Sequence, residues 1–302
     1  MSTHKRMVPV DPRTNPCDGV VYWKWSKSLW YFAALLATVG LAPLTVSLGA
    51  VAVSFFLTVT TLCLGHTLGM HRRLIHESFA CPLWLERTLV YLGVLVGIAG
   101  PFRIIYLHDI RDWSQRHPRC HAFFIHAQSW WWDCWQQLHC DIRLAHPPEF
   151  AIEARVRDDR FYRFLERTWR WQQLPLALAL YALGGAGWVV WGVGVRLFVS
   201  LTGHWLVGYL AHNRGGRHWH IAGAAVQGYN VPGFALRTMG ESWHNNHHAF
   251  PESARLGVKP GEWDPGWLVL RLLGRAGLVW NVATPATLPA RPERIALERD
   301  NS

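Results

Sequence analysis

Near its C-terminal end the chain reads Gly240-Glu241-Ser242-Trp243-His244-Asn245-Asn246-His247-His248-Ala249-Phe250-Pro251. His244, His247 and His248 are spaced i, i+3, i+4, which on a helix sets three imidazoles on one face. Imidazole is a ligand for iron, zinc, copper or nickel, so this spacing points to a bound metal. A solvated histidine-rich turn is the other reading of this segment taken alone. Upstream, His71 and His76 form an H-x-x-x-x-H pair, and His212 closes a long apolar stretch.

The composition shows what brings such distant residues together. Of the 302 residues, 50% are hydrophobic and only 17% are charged. A soluble domain carries about a quarter charged residues, so much of this surface does not face water. No charged residue occurs from Leu29 to Gly65. One helix of that length would run about 55 Å, against a hydrocarbon core of about 30 Å. Two crossings with a turn between Gly40 and Gly49, helped by Pro43, fit better. A second such stretch runs from Trp171 to Ala211, interrupted only by Arg196 and His204, with Gly184-Gly185-Ala186-Gly187 as its natural turn. The expected fold is an all-α integral membrane protein with four transmembrane helices in two hairpins under a helical cytoplasmic cap.

As a single domain, that architecture divides into an N-terminal segment 1–28, hairpin 29–70, cap 71–170, hairpin 171–212 and a second cap segment 213–302. The polar, proline-bearing N-terminus is not expected to be a cleavable signal. Both hairpin turns lack charge, whereas Lys5, Arg6, Arg13, Lys24 and Lys27 crowd the N-terminal segment and the two cap segments are arginine-rich. The positive-inside rule then places both termini and the cap in the cytoplasm, at the inner membrane in a bacterial cell. The net charge of +10 follows from this topology. It calls for no nucleic acid; anionic headgroups or a phosphate-bearing substrate suit it better. Six cysteines without a C-x-x-C pair, in or facing a reducing compartment, argue against disulfides and a zinc knuckle. Leu89 to Phe102 is too short to span and reads as interfacial or re-entrant. Trp130-Trp131-Trp132 reads as an interfacial anchor, and the segment from Trp267 as an amphipathic helix.

In this topology His71 and His76 end the second membrane helix, His212 ends the fourth, and the C-terminal triplet follows close behind. All reach one membrane face, where unpaired polar groups are costly. Gly69-Met70-His71-Arg72-Arg73-Leu74-Ile75-His76 and the G-E-x-W-H-N-N-H-H-x-F-P run together resemble the integral-membrane fatty acyl desaturases of the stearoyl-CoA desaturase type. Arg196 and Trp205-Leu206-Val207 followed by His212 extend the resemblance, which covers the chain from about Leu29 to Trp280. It implies a histidine-ligated di-iron centre that uses O2 and two electrons to remove two hydrogens from an acyl chain in a membrane-embedded tunnel. The implied ligands are His71, His76, His108, His212, His244, His247 and His248.

The departures from that family pattern fall in its second box, H-R-x-H-H. Here the chain offers His108-Asp109-Ile110-Arg111-Asp112. Arg111 replaces one ligand histidine and Asp112 another, and Gly208 stands where the family has an asparagine. Asp112 lies one turn from His108 on the same face and is expected to ligate a metal beside it; an ion pair with Arg111 or Arg116 is the other reading. His117, His121 and His126 follow the box and are candidate replacements, His121 foremost. His66 and His204 lie deeper in the membrane. A rise of about 12 Å separates His204 from His212, so His204 cannot stand in for the lost asparagine. A hydrogen bond between His66 and His204 across two helices, or a place in the substrate tunnel, are the alternatives. Glu241 either orients a ligand histidine or pairs with an arginine. Asn245 and Trp205 are placed around the centre, and Arg196 either snorkels outward or makes a buried polar contact.

Taking hydrogen from an unactivated methylene requires a redox metal and O2, which excludes zinc. Nitrogen-rich ligation suits iron or copper, and the resemblance implies two irons per chain with O2 as co-substrate, and a long-chain acyl group and membrane lipid as partners. No H-P-G-G haem signature or flavin fingerprint appears, so electrons come from a separate ferredoxin- or cytochrome-type protein docking on the basic cap. A hydroxylase on the same scaffold and a catalytically silent, metal-stabilised lipid-binding protein are the competing functions. Chain length, double-bond position and acyl carrier are not written in the sequence.

Overall fold

The computed structural model describes residues 6–297, so Lys5, counted above among the N-terminal cations, lies outside the described residues. The chain is mostly helical. Three helical runs, Trp25–Leu44, Leu48–Ile75 and Gln173–Asn213, are long and apolar enough to cross a membrane. The first two are separated around Pro43 by a short 3-10 turn, and Ser47 starts the second by accepting a hydrogen bond from Ala50 N. The third run, of 41 residues, breaks at Gly185, whose φ of 70° and ψ of −165° are not helical. A Cβ at Gly192 would stand 2.6 Å from Leu180 Cδ1. In a straight helix those two residues would lie about 18 Å apart. The chain therefore doubles back at the glycine-rich turn.

The expected all-α architecture needs correction. Three antiparallel two-stranded ladders tie distant segments together: Met7–Val8 with Glu149–Phe150, Gly19–Trp23 with Cys140–Leu144, and Trp219–Ile221 with Arg294–Ala296. Val20-Val21-Tyr22-Trp23 is β-branched and aromatic, a run that favours the pleated conformation once a partner edge is present. The first two ladders bind the N-terminal segment to residues 140–150, reinforced by Arg6, which pairs with Glu153 at 2.8 Å and Asp109 at 3.1 Å.

The stretch expected to be interfacial is instead an internal support. Helix Leu83–Leu95 buries Leu89, Val90 and Val94 against the second apolar run. Gly65 and Gly69 on one side and Gly93 on the other let the two backbones nearly touch. A Cβ at Gly65 would lie 2.3 Å from Gly93 N. Small residues at such crossings permit this close approach.

Two buried arginines tie the apolar runs to other parts of the chain. Arg72, 1% exposed, donates to Ala254 O at 2.6 Å and to Asp264 Oδ1 at 2.8 Å. Arg196 is fully buried and does not snorkel. It donates to the carbonyls of Gly192 and Leu95 and to Gln173 Oε1. Each links a membrane helix to a segment distant in sequence. Helix Pro265–Arg275 is amphipathic as expected, with Leu270 buried and Arg271 exposed.

The glycine crossing yields a direct test. Gly65→Ala should cost about 1–3 kcal/mol or more through overpacking against backbone that cannot yield. It should lower the apparent melting temperature of the purified protein, whereas Gly40→Ala, where a Cβ meets nothing within 4 Å, should not.

Candidate metal centre

The site begins with an unusual winding. Residues Thr61–Ile75 form a π-helix, and its i→i+5 pattern continues in the bond from His76 N to His71 O at 3.0 Å. His66, His71 and His76 recur every fifth residue, so this winding stacks all three on one face. An α-helix would have splayed each successive pair by about 140°. The His66 and His71 rings are parallel within 5°, and the His71 and His76 centroids are 4.7 Å apart. Helix Pro101–Arg116 brings His108 to this face, with His76 Nε2 and His108 Nε2 3.2 Å apart. Helix His244–Ala249 adds His247, centred 4.6 Å from His71.

Two adjoining groups result. His71, His76, His108 and His247 form one, and His212, His244 and His248 the other; within each, the donor atoms lie within 4.8 Å of one another. His244 Nε2 is 3.2 Å from His212 Nε2 and 3.0 Å from His248 Nε2. His244 and His247, centred 5.6 Å apart, join the two groups along one short helix.

Three of the rings turn their other nitrogen toward an oxygen. His212 Nδ1 donates to Gly208 O at 2.7 Å, His108 Nδ1 meets Asp109 Oδ1 at 3.0 Å, and Glu241 Oε2 stands 2.6 Å from His71 Nδ1. Glu241 also lies 3.6 Å from Arg72, so it stands beside both a histidine and an arginine. Such partners fix ring orientation and raise ligand basicity. Asn245 makes four bonds, accepting from His218 N and Trp219 N and donating to Trp219 O and Gly228 O. It is the clamp that seats the triplet helix, and Asn230 Oδ1 caps that helix through Asn245 N and Asn246 N.

The residues present fit a metal. Nitrogen faces nitrogen at 3.0–3.2 Å in three places, with only one shareable proton per contact. His247 Nδ1 is buried without a hydrogen-bond partner. Burial, followed by the neighbouring imidazoles, holds His244 and His247 well below the usual histidine range, and burial holds His248 at about 4. Near neutral pH these rings keep free lone pairs. Neither group contains a carboxylate or a thiolate, and an all-imidazole set suits iron, copper, nickel or zinc.

All six histidines of the expected core, with His108, fall into the two groups. Asp112 is not among their grouped donor atoms. Both of its oxygens lie 3.1 Å from Arg116 Nε, while its charge still favours protonation of His248 and His247. His121 is turned elsewhere, its Nδ1 accepting from Phe123 N, and His117 donates to Trp113 O. His66 and His204 do meet, edge to face at 5.2 Å, but as a ring contact and not the expected hydrogen bond.

His126 stacks on His212, with centroids 5.1 Å apart. Its Nδ1 faces Asp133 at 3.1 Å and its Nε2 accepts from Arg111 at 2.7 Å, while Trp205 Nε1 also donates to Asp133. A Cβ at Gly208 would lie 3.9 Å from the His126 ring, so the loss of a side chain there leaves room for it. Gln115 Nε2 donates to Phe124 O and lies 3.2 Å from His212 Nε2. Asp109, Gln115 and Asp133 were missed in the sequence. Gln115, two turns beyond His108 on the same face, carried a readable signal; Asp133 carried none.

The depressed histidines set a pH dependence. Below the ordinary histidine pKa of about 6.5 the unfolded chain takes up protons that the folded site refuses, so stability is full above that value and is lost as pH falls toward 4. The apparent melting temperature of metal-free protein should drop between pH 7 and pH 5. His248→Gln should flatten that slope.

No protein-family model matches the chain. Relatives do. It is 32% identical to the palmitoyl-monogalactosyldiacylglycerol delta-7 desaturase of Arabidopsis thaliana, over 98% of this chain and 80% of that one. It is 33% identical to the sn-1 stearoyl-lipid 9-desaturase of Synechocystis, over 91% and 82%. It is 32% identical to the icosanoyl-CoA 5-desaturase of Limnanthes douglasii, over 83% and 70%. The matches run through both histidine groups and the helices that carry them, and the chain belongs to the acyl-lipid and acyl-CoA fatty acid desaturases, a family of oxidoreductases.

Proposed function

We propose that the chain carries out O2-dependent desaturation of a long-chain acyl group, bound as an acyl-lipid or acyl-CoA, at a di-iron centre. The observation that carries this reading is the pair of adjoining nitrogen-only histidine groups. His71, His76, His108 and His247 would hold one iron and His212, His244 and His248 the other. When bound, the irons with O2 supply the oxidant: the acyl chain loses two hydrogens, and O2 with two electrons and two protons leaves as two waters. The residues of the chain do the rest. Asp109, Glu241 and the Gly208 carbonyl keep the ligand rings oriented. Arg72 and Asp264 lock the second helix to the cap beside the centre.

The same reading gives four membrane crossings, because the third apolar run folds back at Gly185. Both termini and the cap lie in the cytoplasm, at the inner membrane of a bacterial cell. A separate ferredoxin- or cytochrome-type donor supplies electrons at the basic cap. Asp112 completes the second-box side of the centre, exchanging its Arg116 contact for a metal; a carboxylate there would stabilise the higher oxidation state.

Expression in a host that lacks the product, followed by gas chromatography–mass spectrometry of total acyl chains, tests the function. A new monounsaturated chain supports it. A hydroxylated chain instead would move the enzyme to oxygen insertion, and an unchanged profile with donor present would overturn it. Alanine at His71, His76, His212, His244, His247 or His248 should abolish the product while leaving expression largely intact. Retained activity in two or more would undo the ligand assignment. Asp112→His should keep some activity and Asp112→Asn should lose metal. Parent-like iron content and turnover in Asp112→Ala would leave Asp112 as an ion-pair partner of Arg116 alone.

A further inference from the structure

One strongly cationic face takes no part in the site described. Helix Arg160–Thr168 buries Tyr162 and Leu165 and turns Arg160, Arg163, Phe164 and Arg167 outward. Arginines at i, i+3 and i+7 share one side of a helix. Among the described residues none of the three side chains makes a hydrogen bond or an ion pair, though the charge of Arg163 is close enough to act on Asp158, which pairs with Arg157. Nearby Arg87, Arg103 and Arg155 are each paired with a carboxylate. The helix's own acid faces away: Glu166 Oε2 accepts from Phe102 N at 2.8 Å and Arg103 N at 3.2 Å, closing the start of helix Pro101–Arg116. With Thr168, the three arginines and Phe164 line a groove of about 300 Å³.

The position of this groove narrows its occupant. The helix ends just before the apolar run that starts at Gln173. Trp169 packs edge-on against Trp30, and Arg170 donates to Ser26 O, so the helix is fastened to the start of the first apolar run as well. Exposed Trp25 and Trp171 stand level with the starts of the first and third apolar runs in the sequence. Tryptophan at that level marks the membrane–water boundary. Phe164, 54% exposed between cations, has an apolar ring suited to the edge of the acyl layer beneath a headgroup.

We propose that this face binds the phosphodiester of an anionic glycerophospholipid, with Arg160, Arg163 and Arg167 around the phosphate and Phe164 against its acyl chains. Guanidinium groups bind phosphate oxygens in pairs, and the nearest acid that acts on the group, Asp158, is already paired with Arg157. A zwitterionic headgroup brings its own cation to a site that already holds three. The proposal rests on the membrane placement of the helices and is independent of the metal centre.

Native mass spectrometry of the detergent-solubilised full chain tests it, with phosphatidylglycerol and phosphatidylcholine of equal chain length as probes. Coenzyme A and inorganic phosphate serve as soluble competitors. An arginine near an anionic surface contributes about fivefold, so the parent should retain phosphatidylglycerol over phosphatidylcholine by more than about tenfold. The triple variant Arg160→Gln, Arg163→Gln, Arg167→Gln should lose that preference with an unchanged melting temperature, while the three Arg→Lys changes should keep most of it. Equal preference in parent and Gln variant would overturn the proposal. So would displacement of the lipid by coenzyme A or phosphate at equal concentration, which would assign the face to a soluble anion.

Discussion

Seven imidazoles crowded nitrogen to nitrogen inside a protein form an arrangement that hydrogen bonding alone does not satisfy. Each ring has at most one proton to share when neutral, and burial keeps the rings of the triplet neutral. A cation set among the inward nitrogens answers all of these contacts at once, and much of the surrounding structure holds the rings in place for it. The outward nitrogens of His71, His108 and His212 each face an oxygen from a different part of the chain. Those oxygens are themselves held: Asp109 by Arg6, and Glu241 beside Arg72.

Bringing the rings together required departures from regular helix geometry. The π-winding of Thr61–Ile75 aligns residues five apart, and the glycines facing Leu83–Leu95 let a supporting helix press against that segment. A π-helix is rare and occurs frequently at functional sites. Its persistence here is understandable because Arg72 and the glycine crossing fix it from two sides. The second histidine box departs in a different way. Arg111 does not ligate; it holds His126 against His212, in a space that Gly208 leaves open. Around the second group, Arg111, His126, Asp133 and Trp205 form one polar network.

Much of this was legible in the sequence. The two long apolar stretches, one free of charge and one broken only by Arg196 and His204, marked the apolar runs, Gly184 to Gly187 located the fold-back, and topology alone brought His71, His76, His212 and the C-terminal triplet to one face. Local spacing did not reveal what depends on tertiary partners. The β-ladders form because the N-terminal segment finds a cap edge far along the chain. Leu89 to Phe102 looked interfacial because its burial against Gly65 and Gly69 is invisible without the neighbouring helix. Asp112 has ligand spacing to His108 and ion-pair spacing to Arg116, and the sequence has no means of ranking the two. Asp133 reaches the site from beyond a loop, through contacts that no periodicity encodes.

The central claim is that these seven imidazoles form a paired, redox-active metal site. Its most direct test is elemental analysis of the purified full chain combined with X-ray absorption at the metal edge. The account predicts about two irons per chain in a nitrogen- and oxygen-only shell. Stoichiometric zinc without iron, or a sulfur scatterer in that shell, would contradict it.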